Sequence, residues 1–266
     1  MIDGGITSGE RLCNYVNHRL LANGVWNDLE LLLDSTGRSS QLVAFFRQIA
    51  AVTLTGRVVA AGVSINADAP TYEVAFKRLF KEHLRDVVGI PGKILDEMYR
   101  FSQRAVEAAL QSAPVSLQKQ MRAWALNRHH WCYMCGQALE FNQNDPVRGY
   151  TLEHIWPQSY GGDSIEDNFL PACQSCNSKK KANFATWAMP GIQSLLYGIA
   201  PEEQRLEEIH GSFKFSLHYR AAQVLAIKER RTLKEAFLKI GPWTTTRLID
   251  ADDVADFFNL ENHKLY

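Results

Sequence analysis

The sequence predicts a mainly helical α+β chain with a small, metal-stapled unit set in its middle. Three observations carry that prediction. Apolar residues recur at helical spacing before residue 130 and again beyond Pro190. That period vanishes between Cys132 and about residue 188, and two CxxC pairs stand inside the aperiodic stretch. The expected organisation is a helical N-terminal region over 1–129, a small core over 130–188 and a helical C-terminal extension over 189–266.

The N-terminal region is read from its stripes. "TSGE" offers Thr7 and Glu10 as a capping box ahead of Leu12, Cys13, Val16 and Leu20. Phe76, Leu79, Phe80, Leu84 and Val87 fall at helical spacing, and "GIPG" breaks the pattern before Ile94, Leu95, Met98 and Phe101. A third stripe, Leu117, Met121, Trp124 and Ala125, runs up to "HHWCYMC". Stripes of this kind signal packing, so these positions are expected to form a helical core, with Cys13 as a core residue. Beyond Pro190 the helical period returns in "SLHYRAAQVLAIKERRTLKEAFLKI" and in "DADDVADFFNLE".

Composition narrows the class of function. With 266 residues, 46% of them hydrophobic, the chain can bury a sizeable core. Its formal net charge is zero, so a surface for nucleic acid must be local rather than global. No apolar run approaches the roughly 18 residues of a membrane span. The opening "MIDGGITSGERLCNY" lacks the charged-then-apolar order of a signal peptide, and a cytoplasmic protein is expected.

Four of the five cysteines, Cys132, Cys135, Cys173 and Cys176, form two CxxC pairs separated by a polar insert. In a reducing compartment this pattern reads better as metal ligation than as disulfides. Each pair can present two thiolates from a tight knuckle to one tetrahedral zinc, and a small loop-rich unit needs such a staple. Four thiolates close the coordination sphere, so that zinc would be structural. Redox CxxC pairs or plain buried cysteines are the alternatives, and neither explains two knuckles bracketing a polar insert.

The insert carries the chemistry. It holds Glu153-His154, "IWP" through Pro157, Gly161-Gly162, Asn168 with "FLPAC", and then "CQSCNSKK" from Cys173. In combination these residues resemble the HNH (beta-beta-alpha metal) endonuclease family, in the subgroup clamped by two zinc-binding CxxC knuckles. The resemblance covers roughly residues 130 to 188 and implies a small ββα-metal nuclease core.

What the resemblance implies for the residues is specific. Phosphodiester hydrolysis needs an activated water and a cation to offset charge growing on the phosphate. His154 is the expected general base, since a neutral imidazole accepts a proton near neutral pH. Glu153 and Asn177 are expected to offer oxygens to a catalytic Mg2+ or Mn2+. Asn168 is expected to tie the loop that holds the histidine. The family more often has Asp or His where this chain has Glu153, which leaves the metal preference open.

Substrate contacts are expected from Lys179, Lys180 and Lys181, which follow Asn177 on the same helix and could meet phosphates. Farther on, Lys214, Arg220, Lys228, Arg230, Arg231, Lys234, Lys239 and Arg247 outnumber Glu229 and Glu235. After Arg247 the sign reverses through Asp250, Asp252, Asp253, Asp256 and Glu261. This asymmetry fits a DNA-facing surface and equally fits helices that pair with each other or with a partner protein.

The resemblance therefore implies a DNA endonuclease, RNA not being excluded as substrate. Many bacterial proteins of this build serve restriction, mobile elements or antiviral defence beside an ATPase or sensor subunit, and that analogy is the source of the partner expectation. Two rival readings are a zinc-stabilised nucleic-acid-binding module and a partner-dependent subunit without independent cleavage.

Overall fold

The structure, a computed structural model, describes residues 6–22, 25–33, 39–142, 145–180, 218–219 and 221–242. Among the described residues helices dominate, and one two-stranded antiparallel sheet interrupts them. This is the mainly helical α+β class, with a strand, a loop, a strand and a helix in the middle of the chain. Contacts group the residues into two units that interleave along the sequence.

The first unit takes residues 6–22, 50–124 and 152–170. Helix α1 (Ser8–Tyr15) opens with the expected capping box: Thr7 Oγ1 accepts from the Glu10 N–H, and the Glu10 carboxylate accepts from the Thr7 N–H. Two of the helix's otherwise unpaired N–H groups are satisfied this way. A π-helical turn, Val16–Leu20, continues it. After α2 (Val25–Leu33) and α3 (Ser39–Asp68) come α4 (Val74–Asp86), α5 (Gly92–Leu110) and α6 (Val115–Arg128).

The expected stripes make the core of this unit. Leu12, Val16, Phe76, Phe80, Leu84 and Met98 are buried, each contributing about 1.5–3 kcal/mol of apolar burial. Tyr15 stacks on Phe101 with ring centroids 4.8 Å apart and donates from its hydroxyl to Glu97 Oε2 at 3.0 Å, fixing α1 on α5. Cys13 is a core thiol as expected, and burial pushes it up to about 12. Val87 is exposed instead of buried, because α4 ends at Asp86 and the chain turns through Gly89, at φ +79, toward Pro91.

Helix α3 has no counterpart among the expected stripes. It includes Phe46–Asp68, long and apolar enough by length and composition to cross a membrane. Core helices pass the same test, and Ala51, Val52, Thr55, Val58 and Val59 on this helix are buried.

Strands β1 (Tyr150–His154) and β2 (Phe169–Cys173) coincide with "GYTLEHI" and "NFLPAC". Their register is set where the Ile155 N–H donates to Asn168 O at 2.8 Å and Thr151 Oγ1 donates to Ala172 O at 2.9 Å. Between them runs a loop with two 3₁₀ turns, Gln158–Tyr160 and Glu166–Asn168. After β2 comes α7 (Gln174–Lys180).

The second unit takes the described residues of 23–49, 125–151 and 171–266. It holds the two cysteine knuckles and the C-terminal helices. Helix α8 (221–229) stops at Arg230, whose φ is +54. Helix α9 (Leu233–Ile240) starts at a second capping box, Thr232 with Glu235. Phe237 centres this unit's aromatic packing, with Tyr133 at 5.2 Å, His218 at 5.0 Å and Tyr219 at 5.6 Å between ring centroids. "DADDVADFFNLE" lies outside the described residues.

Candidate active site and metal centre

The two cysteine knuckles bracket the polar insert in the sequence. Cys132 and Cys135 sit on a turn closed by Gly136 N–H to Cys132 O at 2.9 Å, with Gly136 at φ +75. Cys173 ends β2 and Cys176 lies on α7, where the Cys176 N–H donates to Cys173 Sγ at 3.4 Å. All four Sγ atoms lie within 4.8 Å of one another. The Cys135 and Cys173 sulfurs are 3.9 Å apart. Zn–S bonds of about 2.3 Å set tetrahedral edges of roughly 3.8 Å, so the donor set and its spacing fit a structural zinc.

The protonation balance points the same way. Hydrogen bonds from Cys132, Cys135 and Cys176 hold the Cys173 sulfur strongly on the thiolate side. The hydrogen bond from Cys132 brings the Cys135 thiol down to about 7. Sharing protons in this way pushes Cys132 and Cys176 up. Four adjacent sulfurs cannot all ionise unaided, and a divalent cation is the partner that allows it.

His154 closes β1, and its ring is held from two sides. The Phe169 ring lies against it at a centroid distance of 4.3 Å. His154 Nε2 lies 3.1 Å from Ser164 Oγ. Ser164, only 6% exposed, also donates to the Gln111 carbonyl at 3.2 Å. That carbonyl, at the end of α5, accepts in addition from Gln158 Nε2 at 2.8 Å. Neither Ser164 nor Gln111 is marked by any motif, so sequence reasoning passes them by.

Glu153, next to the histidine on β1, is buried. Asn168 is buried at the foot of β2, and its amide is fully used: Oδ1 accepts from Trp156 N–H at 2.8 Å, while Nδ2 donates to Trp156 O and Asp163 O at 3.0 Å each. The loop between them is pinned to α1. The Ser8 N–H and hydroxyl both donate to the Asp163 carboxylate, and the Gly9 N–H donates to Gly161 O at 2.7 Å. Only glycine fits at position 9, since a Cβ there would lie 2.1 Å from Tyr160 O. His154, Glu153 and Asn168 are thus brought together on one unit.

Asn177 stands directly after Cys176 on α7 and is half-buried. Lys179 and Lys180 continue that helix, but their side chains, and Lys181 altogether, lie outside the described residues.

The basic stretch needs a correction. Lys234 is buried, so it faces no phosphate. Arg231 and Lys239 both pair with Glu229, at 2.8 and 2.5 Å. Lys228 and Arg230 are exposed. Lys214, Arg220, Arg247 and the acidic tail lie outside the described residues.

Residues 132–187 match the family model described as HNH endonuclease. The two-stranded sheet, the following helix and the clustered cysteines agree with that match, and the four cysteines are compatible with a structural zinc. The segment's function is accordingly that of a nuclease or of a related nucleic-acid-acting protein. No curated protein and no solved structure matches the chain.

Proposed function

We propose that the chain is a metal-dependent HNH endonuclease that hydrolyses DNA phosphodiester bonds, with residues 130–188 as the nuclease domain and 1–129 and 189–266 as helical flanks. The observation that carries this reading is the setting of His154. It ends β1 beside buried Glu153, under a loop that Asn168 ties with three hydrogen bonds, within a segment of HNH type.

In this reading His154 takes the proton of the attacking water, and Asn168 keeps the loop and hence the imidazole in place. Glu153 and Asn177 would hold Mg2+ or Mn2+, hard cations that prefer oxygen donors and retain several waters. When bound, the cation supplies charge neutralisation at the phosphate and the departing oxygen. Lys179, Lys180 and Lys181 hold flanking phosphates, and the products are a 3′-hydroxyl and a 5′-phosphate. The four cysteines keep zinc in a structural role. A place in bacterial antiviral defence or restriction, with an ATPase or sensor partner, extends this reading by analogy to proteins of similar build.

The test is incubation of the purified full chain with supercoiled plasmid and with single-stranded DNA, with magnesium or manganese, with and without chelator. Cation-dependent nicking or linearisation is expected. Binding without cleavage under every cation would overturn the enzyme reading and leave a zinc-stabilised nucleic-acid-binding module or a partner-dependent subunit.

A further inference from the structure

Helix α1 caps only half of its own first turn. Thr7 Oγ1 takes the Glu10 N–H and the Glu10 carboxylate takes that of Thr7, which leaves the N–H groups of Ser8 and Gly9 without partners inside the helix. The loop between the two strands supplies both. Asp163 accepts from the Ser8 N–H through Oδ2 and from the Ser8 hydroxyl through Oδ1, the latter at 3.2 Å, while Gly161 O accepts from the Gly9 N–H at 2.7 Å. A carboxylate is a favoured partner at this end of a helix, where the peptide dipoles leave partial positive charge.

The same aspartate is held through its backbone as well. Asn168 Nδ2 donates to the Asp163 carbonyl at 3.0 Å, and the next residue, Ser164, brings its Oγ to 3.1 Å from His154 Nε2. Asp163 thus stands between the N-terminus of α1 and the residue that touches the imidazole. We infer that Asp163 is a positioning residue of the nuclease site: its carboxylate fixes the loop to α1, and α1 is thereby part of the machinery that sets His154 in place. The inference rests on the reading of His154 as the general base. It makes the N-terminal helices a working part of the nuclease and not an appended flank.

Close packing gives this clasp its precision. A Cβ at Gly9 would lie 2.1 Å from Tyr160 O and 2.4 Å from Trp156 Nε1, and one at Gly161, whose φ is +80, would lie 2.6 Å from Ala105 Cβ on α5. The loop therefore meets α1 and α5 with no side chain between them at these two points, and it cannot slide on either helix without losing the fit. On either side of Asp163, Gln158 Nε2 donates to Ala109 O at 3.1 Å and Gln111 O at 2.8 Å, and Gln120 of α6 donates to Glu166 Oε2 at 2.9 Å. A segment cut at residue 130 lacks all three helices and every one of these contacts.

The experiment measures plasmid cleavage and amide hydrogen exchange by NMR on the full chain as wild type, Asp163→Ala, Asp163→Asn, Ser8→Ala and the Ser8→Ala/Asp163→Ala double variant, each first checked for folding by circular dichroism. Asp163→Ala should lower kcat by roughly 10- to 100-fold with KM unchanged, since a displaced catalytic group costs rate without touching substrate. Asp163→Asn should recover most of that loss, because its Oδ1 can still accept from the Ser8 N–H and its amide can donate to the Ser8 hydroxyl. The double variant should be no slower than Asp163→Ala alone, both changes breaking one contact. The Ser8 and Gly9 amides should be protected in the wild-type chain and lose protection in Asp163→Ala together with those of Gly161 and Gly162. Wild-type kcat in folded Asp163→Ala overturns the inference, and so does a double variant whose losses multiply. Should Asp163→Ala not fold, the wild-type chain decides, since Ser8 and Gly9 amides exchanging at the open-chain rate would overturn the clasp. Absence of cleavage by the wild-type chain under every cation would sink the nuclease reading itself, a result separate from the exchange.

Discussion

The amide of Asn168 clasps the backbone of Trp156 from both sides, Oδ1 accepting from its N–H at 2.8 Å and Nδ2 donating to its carbonyl at 3.0 Å. This pair closes the base of the loop whose start is the end of β1. A second donation from Nδ2, to Asp163 O at 3.0 Å, draws in the far side of the loop next to Ser164. The asparagine acts on chemistry only through the backbone it holds, and no shorter or acceptor-only side chain can make all three bonds.

Asn168→Ala is therefore expected to lower cleavage and stability together. Each buried group left without a partner costs about 1–3 kcal/mol. A fall in Tm of at least about 4 °C should result. Asn168→Asp should do no better, since a carboxylate would face two carbonyl oxygens. Thermal unfolding and cleavage measured on both variants provide the check, and a wild-type Tm in Asn168→Asp would contradict the geometry.

Zinc removal should unfold more than a site. The four-cysteine cluster joins the turn after Trp131 to the end of β2 and the start of α7. Binding free energy at such a site is also folding free energy. Cys132→Ser or Cys176→Ser should give insoluble or partly unfolded protein, and elemental analysis of the wild-type chain should find about one zinc. Soluble, active protein without zinc would refute this.

His218 gives the second unit a pH dependence with a definite sign. Burial pushes its pKa down from 6.5 to about 4, although Nε2 donates to Gly241 O at 2.7 Å. The unfolded chain then takes up a proton that the folded chain refuses. Stability should be full above about pH 6.5 and decline as the pH falls toward 4, by a few kcal/mol. His218→Phe should flatten this decline, whatever it does to stability at neutral pH. Denaturant unfolding across that interval measures the slope directly.

The expected DNA-facing role of the C-terminal basic stretch now narrows to particular side chains. Glu229 already offsets Arg231 and Lys239, and Lys234 is buried, whereas Lys228 and Arg230 are exposed. Lys228→Gln with Arg230→Gln should weaken binding uniformly across sequences and shallow the salt dependence by about one contact per charge removed. An unchanged salt slope would assign these residues to protein contacts.

The sequence reveals the parts of this protein that depend on local rules. Capping boxes at Thr7 and Thr232 obey near-neighbour chemistry, and only the first was expected from its S/T-x-x-E signature. The cysteine knuckles and the strands beside them follow from spacing and from Gly and Pro punctuation. Helix α3 escaped because its apolar residues run all around it and so leave no stripe. Lys234 sits in a basic run whose charge says nothing of burial, which the packing of α9 decides. Ser164 and Gln111 lie 53 residues apart and meet only through the tertiary packing of the loop on α5. No spacing rule could have paired them.

Base and metal can be separated by substitution. His154→Ala removes a proton acceptor but touches no zinc ligand, so zinc content and Tm should stay near wild type. Cleavage should fall by at least the ~10²-fold typical of a lost general base. Glu153→Ala and Asn177→Ala should also abolish cleavage, but through weakened cation binding, which raised manganese can offset by mass action. No concentration of manganese restores a missing proton acceptor, so the response to cation should divide the three variants. Nuclease assays across a manganese titration, each variant first checked by circular dichroism, make the comparison. Recovery of His154→Ala by manganese to the same extent as Glu153→Ala would place His154 among the cation's ligands instead, and full activity in folded His154→Ala protein would remove it from the mechanism.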